Sequence, residues 1–438
     1  MDKLVGILGL FVMLGIAFLF CKPEHRKSIN LRVVIGGILL QLTFALLILK
    51  TPVKILFTYA NDAVNALLGF TNKGSGFIFG SMMDMSSNGF IFAVQVLPTI
   101  IFFSSLMTVL YYLGVMQFIV NIVAKVMVKT LKTSGSETLS AAANIFVGQT
   151  EAPLVIKPFV EKMTQSELMA IMVGGMATVA GGVMASYVGL LKNDIPTIAG
   201  HLMAASVMSA PAALVMAKIM VPETEESETA GESVELANEK LDANVIDAAA
   251  RGAGEGLTLA LNVAAMLLAF IALIAMLNGL IGVIGGVIGI EALSLEKIFG
   301  WIFAPLAFLM GVPWEDCTKI GALLGEKTMI NEFVAYSHLA EMVKPGSAEV
   351  LSEKSEIIAT YALCGFSNLS SIAIQIGGIG GIAPNRRGDL ARLGIRAVIG
   401  GSLACFMTAT IAGLLWSPET APAAEVTPST AITAPETP

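Results

Sequence analysis

Long unbroken apolar runs decide what this chain can fold into. They cover residues 4–21, 33–49, 92–113, 169–191, 198–220, 257–281 and 395–415. A less uniform eighth covers 357–376 and is interrupted by Gly365-Phe366-Ser367-Asn368. Each falls in the length range that carries a helix across a bilayer's hydrocarbon core. In lipid every backbone polar group needs a partner within the protein, which leaves helices or closed barrels. Continuous rather than alternating apolar runs exclude the barrel. Only 13% of the 438 residues are charged, about half the share in soluble domains. The expected fold is an all-α polytopic membrane protein with eight transmembrane helices. Segments 53–69 and 114–130 mix charges into apolar sequence and read as interfacial helices. The first run lacks the basic leader and small-residue cleavage site of a signal peptide, so it reads as a span.

Cations near the span ends set the orientation. Lys22, Arg26, Lys27 and Arg32 follow the first span, Lys125, Lys129 and Lys132 follow the third, and Arg386, Arg387, Arg392 and Arg396 precede the last. All three loops are then cytoplasmic, and eight spans put both termini outside, in the periplasm of a Gram-negative inner membrane. Residues 222–242 are rich in glutamate and read as a solvated cytoplasmic linker between two halves. Residues 417–438 carry no cation and read as a disordered periplasmic tail. Net charge is −7 with no basic stripe, which argues against nucleic acid as a partner. The four cysteines form no CxxC and the three histidines no HExxH, so metal, redox and enzyme readings have no support.

Two polar strings interrupt the apolar sequence: Gly148-Gln149-Thr150-Glu151-Ala152-Pro153 and Asn331-Glu332-Phe333. Each sits between apolar segments too short to span. Residues 134–146 and 154–162 would form one hairpin, and 314–324 and 334–338, joined through Gly325-Glu326-Lys327, a second. Three spans separate them, so the hairpins enter from opposite faces. Each is followed by two spans, as in the inverted repeats of secondary transporters. Bland readings stand beside this one: Glu151 as a helix cap paired with Lys157, Glu332 paired with Lys327 in a surface loop, Asn368 and Ser371 as helix–helix glue. Yet Asn144, Gln149, Thr150, Glu151, Asn331, Glu332, Asn368 and Ser371 as unrelated defects at membrane depth would carry a large desolvation cost.

Carboxylates with amides and hydroxyls, and no arginine at depth, suit a neutral polyhydroxy or heterocyclic solute and suit phosphate poorly. Phe366 offers a face to a ring. Asn144, Thr178 and carbonyls freed near Val147 supply hard oxygen ligands for a cation such as sodium. Thr178 bonding back onto its own helix is an equal alternative.

These strings, with Asn331-Glu332-Phe333-Val334-Ala335, Gly365-Phe366-Ser367-Asn368-Leu369-Ser370-Ser371 and residues 260–279, resemble the signatures of the concentrative nucleoside transporter family. The resemblance covers nearly the whole chain. It implies sodium-coupled import of a nucleoside such as uridine, a homotrimer in membrane lipid, and an elevator-type transport domain moving against a scaffold. It implies that Gln149, Thr150 and Glu151 bind the base, that Glu332, Asn368 and Ser371 hold the ribose, and that Leu259 and Phe366 pack on the base. The sodium site implied is Asn144, Thr178 and the carbonyls of Val147 and Val179. Thr178 departs from the serine usual in sodium-coupled members. Proton-coupled members lack the Asn144 equivalent, so Asn144 and Thr150 here favour sodium, and proton coupling through Glu151 or Glu332 is the alternative driver. The implied division is scaffold 1–130, first repeat 131–220, linker 221–250, central span 251–290, second repeat 291–416 and tail 417–438.

Overall fold

The computed structural model describes residues 2–89, 91–230, 234, 242–290, 293–344, 346–347 and 350–417, and all regular structure among them is helical. Six helices are long and apolar enough to cross a bilayer, and two shorter apolar helices accompany them. In chain order the spans are 1 (Lys3–Leu19), 2 (Leu31–Lys50), 3 (Phe92–Tyr112), 4 (Gln165–Leu191), 5 (Ile198–Met220), 6 (Val245–Ile288), 7 (Glu353–Leu363 with Leu369–Ile382) and 8 (Pro384–Leu415). They coincide with the eight apolar runs.

Spans 4 and 7 are each broken midway. Span 7 stops at Leu363 and restarts after Asn368, where the glycine, serine and asparagine of the sequence foretold it. Span 4 was expected to be continuous; instead it ends at Ala177, turns extended at Thr178 (φ −130°, ψ 171°) and restarts at Gly181. Tertiary bonds hold that break open. Gly181 N–H donates to the Phe146 carbonyl at 3.0 Å, and Phe366 N–H donates to the Thr178 carbonyl at 3.3 Å. The two breaks thus touch. Gly365 (φ +155°) permits the approach, since a Cβ there would stand 2.8 Å from the Met176 carbonyl oxygen.

The hairpins differ from expectation in detail. The first rises as Gly135–Ala143, only about 14 Å long, and returns as two four-residue pieces, Ala152–Val155 and Lys157–Val160. They part at Ile156, and Pro158, with no N–H to give, sits in the first turn of the second piece. The second rises as Cys317–Met329 and returns as Glu332–Met342. The rising arm, expected over 314–324, runs on through Gly325-Glu326-Lys327 to Met329, and Lys327 is buried. A helix the sequence reading missed, Leu295–Leu309, precedes this hairpin and meets it where Gly321 would place a Cβ 2.6 Å from the Gly300 carbonyl. It holds the place that Val115–Leu131 holds before the first hairpin. Each repeat is therefore helix, hairpin, broken span, span. The interfacial segments expected at 53–69 and 114–130 fall in Lys54–Phe79 and Val115–Leu131.

Spans 4, 5 and 8 form the core, with 83–89% of their apolar windows buried; spans 3 and 6 stand at the margin, with 28% and 6%. Small residues bring that outer pair together. A Cβ on Gly256 would meet the Ile101 Cα at 2.8 Å, and Ser105 Oγ donates to the Ala249 carbonyl at 2.9 Å. With 44 residues, span 6 is about 66 Å long, twice the hydrocarbon thickness.

Both hairpins are anchored at their bases. At the first, Lys218 Nζ pairs with buried Glu137 at 2.7 Å, and Ser134 and Thr164 form capping boxes with Glu137 and Glu167. The start of the acidic linker is tethered here, although Glu225, Glu226 and Glu228 remain exposed. Gly135 N–H donates to the Thr229 carbonyl at 3.0 Å, Ser227 Oγ donates to Glu167 at 2.6 Å, and Lys162 pairs with Glu228 at 2.8 Å. Free N–H groups at two helix starts give the linker something to bind. Linker residues 231–233 and 235–241, and the tail from 418, lie outside the described residues.

At the second base, Asp316 accepts from Ser352 N–H (3.1 Å), Ser352 Oγ (2.9 Å), Ser355 Oγ (2.7 Å) and Lys319 Nζ (3.2 Å). Burial raises the Asp316 carboxyl, but these bonds outweigh it and hold the group below its ordinary value. Its stabilisation is therefore complete above the unfolded carboxyl's pKa of about 4 and fades as pH falls through the lower folded value. Asp316→Asn should cost about 1–3 kcal/mol, read as a lower thermal midpoint in detergent at pH 7. The gap to wild type should narrow in acid; a gap that widens there would refute this account of the anchor.

Candidate functional site

Both hairpin tips reach the restarted half of span 7. From the first, Gln149 Nε2 donates to Ser371 Oγ at 3.0 Å, while Gln149 Oε1 accepts from Gln375 Nε2 at 3.0 Å. From the second, Glu332 accepts from Asn368 Nδ2 at 2.9 Å and, on its other oxygen, from Tyr187 Oη at 2.9 Å. Asn368 Oδ1 meanwhile caps the new helix by accepting from Ser371 N–H at 2.9 Å. Asn331 caps the return arm of hairpin 2 in the same way, through Val334 N–H at 2.9 Å. Gln149, Glu332, Asn368 and Ser371 are all at least nine-tenths buried. Two helix starts, Glu332–Met342 and Leu369–Ile382, thus bring their N-terminal dipole ends to a carboxylate, which favours its charge.

The other expected residues fall around this network. Thr150 packs on Gly378 of span 7, and Phe366 lies half-buried in the span 7 break. Glu151 is exposed; it neither caps the following helix by its side chain nor pairs with Lys157, and its carboxylate folds over Gly148. Glu332 does not sit in a surface loop with Lys327. Leu259 is half-buried on span 6, which packs against the return arm of hairpin 2, but no bond ties it to the polar network.

Asn144 is fully buried, and neither its Oδ1 nor its Nδ2 has a hydrogen-bond partner. An unpaired buried amide is costly, so this one invites a ligand. Its Nδ2 stands 3.5 Å from where a Cβ on Gly174 would lie, beside the end of the first half of span 4. Thr178 Oγ1 donates to the Gly174 carbonyl at 3.0 Å, the back-bond left open above, and keeps lone pairs free to accept. An orphaned amide oxygen, a hydroxyl oxygen and a helix break with carbonyls at Val147 and Val179 fit a hard monovalent cation.

Two site residues escaped the sequence reading. Tyr187 lies inside an apolar run, where an aromatic reads as core. Gln375 holds Gln149 and the Met172 carbonyl, each at 3.0 Å. The signal for Gln375 was present: Asn368, Ser371 and Gln375 recur at i, i+3 and i+7 on one helical face.

Comparison with known proteins gives the family. A family model for the Na+ dependent nucleoside transporter N-terminus matches residues 8–82, one for its C-terminus matches 201–413, and a nucleoside recognition gate model matches 93–194. An uncharacterized transporter of Haemophilus influenzae is 51% identical over 94% of this chain and 98% of its own length. Rat sodium/nucleoside cotransporter 1 is 40% identical over 95% of this chain, which spans 64% of that longer protein. The solved structure of CNTnw in an inward-facing, substrate-bound state is 46% identical and superposes with a TM-score of 0.87 over 95% of this chain and 98% of its own. A CNTnw variant in an outward-facing state superposes with a TM-score of 0.89. A chain with two opposed hairpins, two broken spans and this degree of identity belongs to the concentrative nucleoside transporter family, the Na+-dependent nucleoside transporters.

Proposed function

We propose that this chain imports nucleosides such as uridine by symport with sodium, holding one nucleoside between the two hairpin tips. The observation that carries this is the shared docking of Gln149 and Glu332 on the start of Leu369–Ile382. Glu332, Asn368 and Ser371 hold the ribose, because a carboxylate and an amide accept from vicinal hydroxyls. Gln149 and Thr150 read the base edge, Glu151 joins through water, and Phe366 and Leu259 flank the ring. The bonds Gln149 makes to Ser371, and Glu332 to Tyr187, are of the kind substrate hydroxyls and base edges exchange for their own.

Sodium binds to Asn144, Thr178 and the carbonyls of Val147 and Val179. Asn144 lies five residues before Gln149 on the same tip, so ordering one end of the tip orders the other. One charge moving through 100 mV releases about 2.3 kcal/mol, enough for roughly fifty-fold accumulation. The transport domain of hairpins, spans 4, 5, 7 and 8 moves as an elevator against spans 3 and 6. The apolar surface that span 6 leaves open is covered by lipid and by the other subunits of a homotrimer. Both termini face the periplasm.

Counterflow in proteoliposomes tests the reading. Uridine exchange should require sodium and be weaker by about tenfold for 2′-deoxyuridine, which lacks one donor to a buried carboxylate. Exchange that follows pH and ignores sodium would select proton coupling instead.

A further inference from the structure

Lys327 is the least expected side chain in the protein. It lies in the rising arm of hairpin 2 and is 0% exposed. Its ammonium donates to the Ala362 carbonyl at 2.7 Å and stands 5.7 Å from the centre of the Phe406 ring. A buried ammonium held by a carbonyl and a ring face, rather than by a carboxylate, is costly unless its charge is used.

The Ala362 carbonyl is free for a reason. It sits at the end of Glu353–Leu363, where the next-turn donor, Phe366 N–H, has gone to Thr178 in the other repeat. Broken span 7 thus presents an unpaired carbonyl at the negative end of its first half. The first half of broken span 4 likewise ends beside Asn144, where the Thr178 hydroxyl has taken the Gly174 carbonyl. The register also matches. Asn144 precedes Gln149 by five residues and Lys327 precedes Glu332 by five. Gln149 and Glu332 are the two residues that dock on Ser371 and Asn368. In each repeat, the residue five before the docking side chain lies beside the broken end of its own span. Lys327 and Glu332 are both buried and lie on the two arms that meet at the second tip.

We propose that Lys327 is a tethered cation, standing in the second repeat where sodium binds in the first, and that it positions hairpin 2 and Glu332 for the ribose. One repeat carries an exchangeable cation and so couples to the ion gradient. The other carries its cation covalently, so its tip stays ordered without a second ion. Lys327 touches no substrate in this account; it acts through Glu332. The inference rests on Glu332 being the ribose ligand.

The test is nucleoside affinity by calorimetry on purified Lys327→Ala in saturating sodium, with methylammonium as a probe of the missing charge. Uridine affinity should fall by about thirtyfold, the loss expected when a charged contact is misplaced. Methylammonium should restore a large part of it in the variant and leave wild type unchanged. Affinity within threefold of wild type, or a loss that methylammonium does not relieve, would overturn the proposal. Lys327→Met keeps the stem's volume without the charge and serves if the alanine variant does not fold. Its preference for uridine over 2′-deoxyuridine should shrink towards one, and a preference equal to wild type would overturn the proposal. The wild-type arm separates the two readings. Equal wild-type affinities for the two nucleosides would remove Glu332 from the ribose, and this inference with it.

Discussion

Glu332→Gln should lower uridine affinity by roughly 30- to 1,000-fold, the equivalent of about 2–4 kcal/mol for hydrogen bonds to a buried charge. The fold should survive. The new amide oxygen still accepts from Asn368, and the Tyr187 hydroxyl, now facing an NH2 group, rotates to accept from it. The loss should therefore appear in binding and leave the thermal midpoint nearly unchanged. It should also be specific to the sugar: the ratio of uridine to 2′-deoxyuridine affinity should collapse. Calorimetry with both nucleosides reads all three outcomes. Wild-type affinity in a folded variant would remove Glu332 from the site.

The second large effect belongs to the ion. If sodium orders the first tip, sodium and nucleoside must each strengthen the other's binding by the same factor, typically about 5- to 150-fold. Asn144→Ala should reduce that factor to less than about twofold, since the amide is the one side chain at the break with both polar atoms unpaired. Sodium-free stability gives the control. Removing an unsatisfied buried amide costs little and can stabilise, so the variant should be as stable as wild type without sodium, and only wild type should gain in its presence. A variant that keeps its sodium-dependent rise in uridine affinity would place the ion elsewhere.

The eight spans were legible because uninterrupted apolar sequence of that length has few other uses. The span 7 break was legible for the opposite reason: Gly365, Ser367 and Asn368 are poor helix residues in an apolar setting. The span 4 break was not. Thr178 and Val179 sit in an apolar run whose Gly174-Gly175 pair stays inside the first helical half, and only the bonds to Phe146 and Phe366 open the helix where it breaks. Local propensity carried no trace of them. Lys327 misled for a related reason. A lysine in a helix ordinarily marks an exposed turn, and its burial follows from a carbonyl supplied 35 residues later. Leu295–Leu309 was missed because its charges and Pro305 dilute the apolar signal.

The site was legible where function conflicts with lipid. Gln149, Glu332 and Asn368 stood out because nothing apolar explains them. Tyr187 was hidden because an aromatic side chain satisfies both readings, ring in the core and hydroxyl on Glu332. The linker's first residues keep Glu225, Glu226 and Glu228 exposed, as acidic sequence suggests, while Glu223 meets Lys218 and Thr164, contacts that composition alone does not reveal.

The central claim is that hairpins entering from opposite faces close on one nucleoside, base towards the first tip and ribose towards the second. The most direct measurement is the anomalous signal of bromine from 5-bromouridine bound to crystals of the chain in sodium. The account predicts a single bromine peak beside Gln149 and Thr150, on the side of the bound molecule away from Glu332. A peak against Glu332 and Asn368, or one outside both hairpin tips, would contradict it.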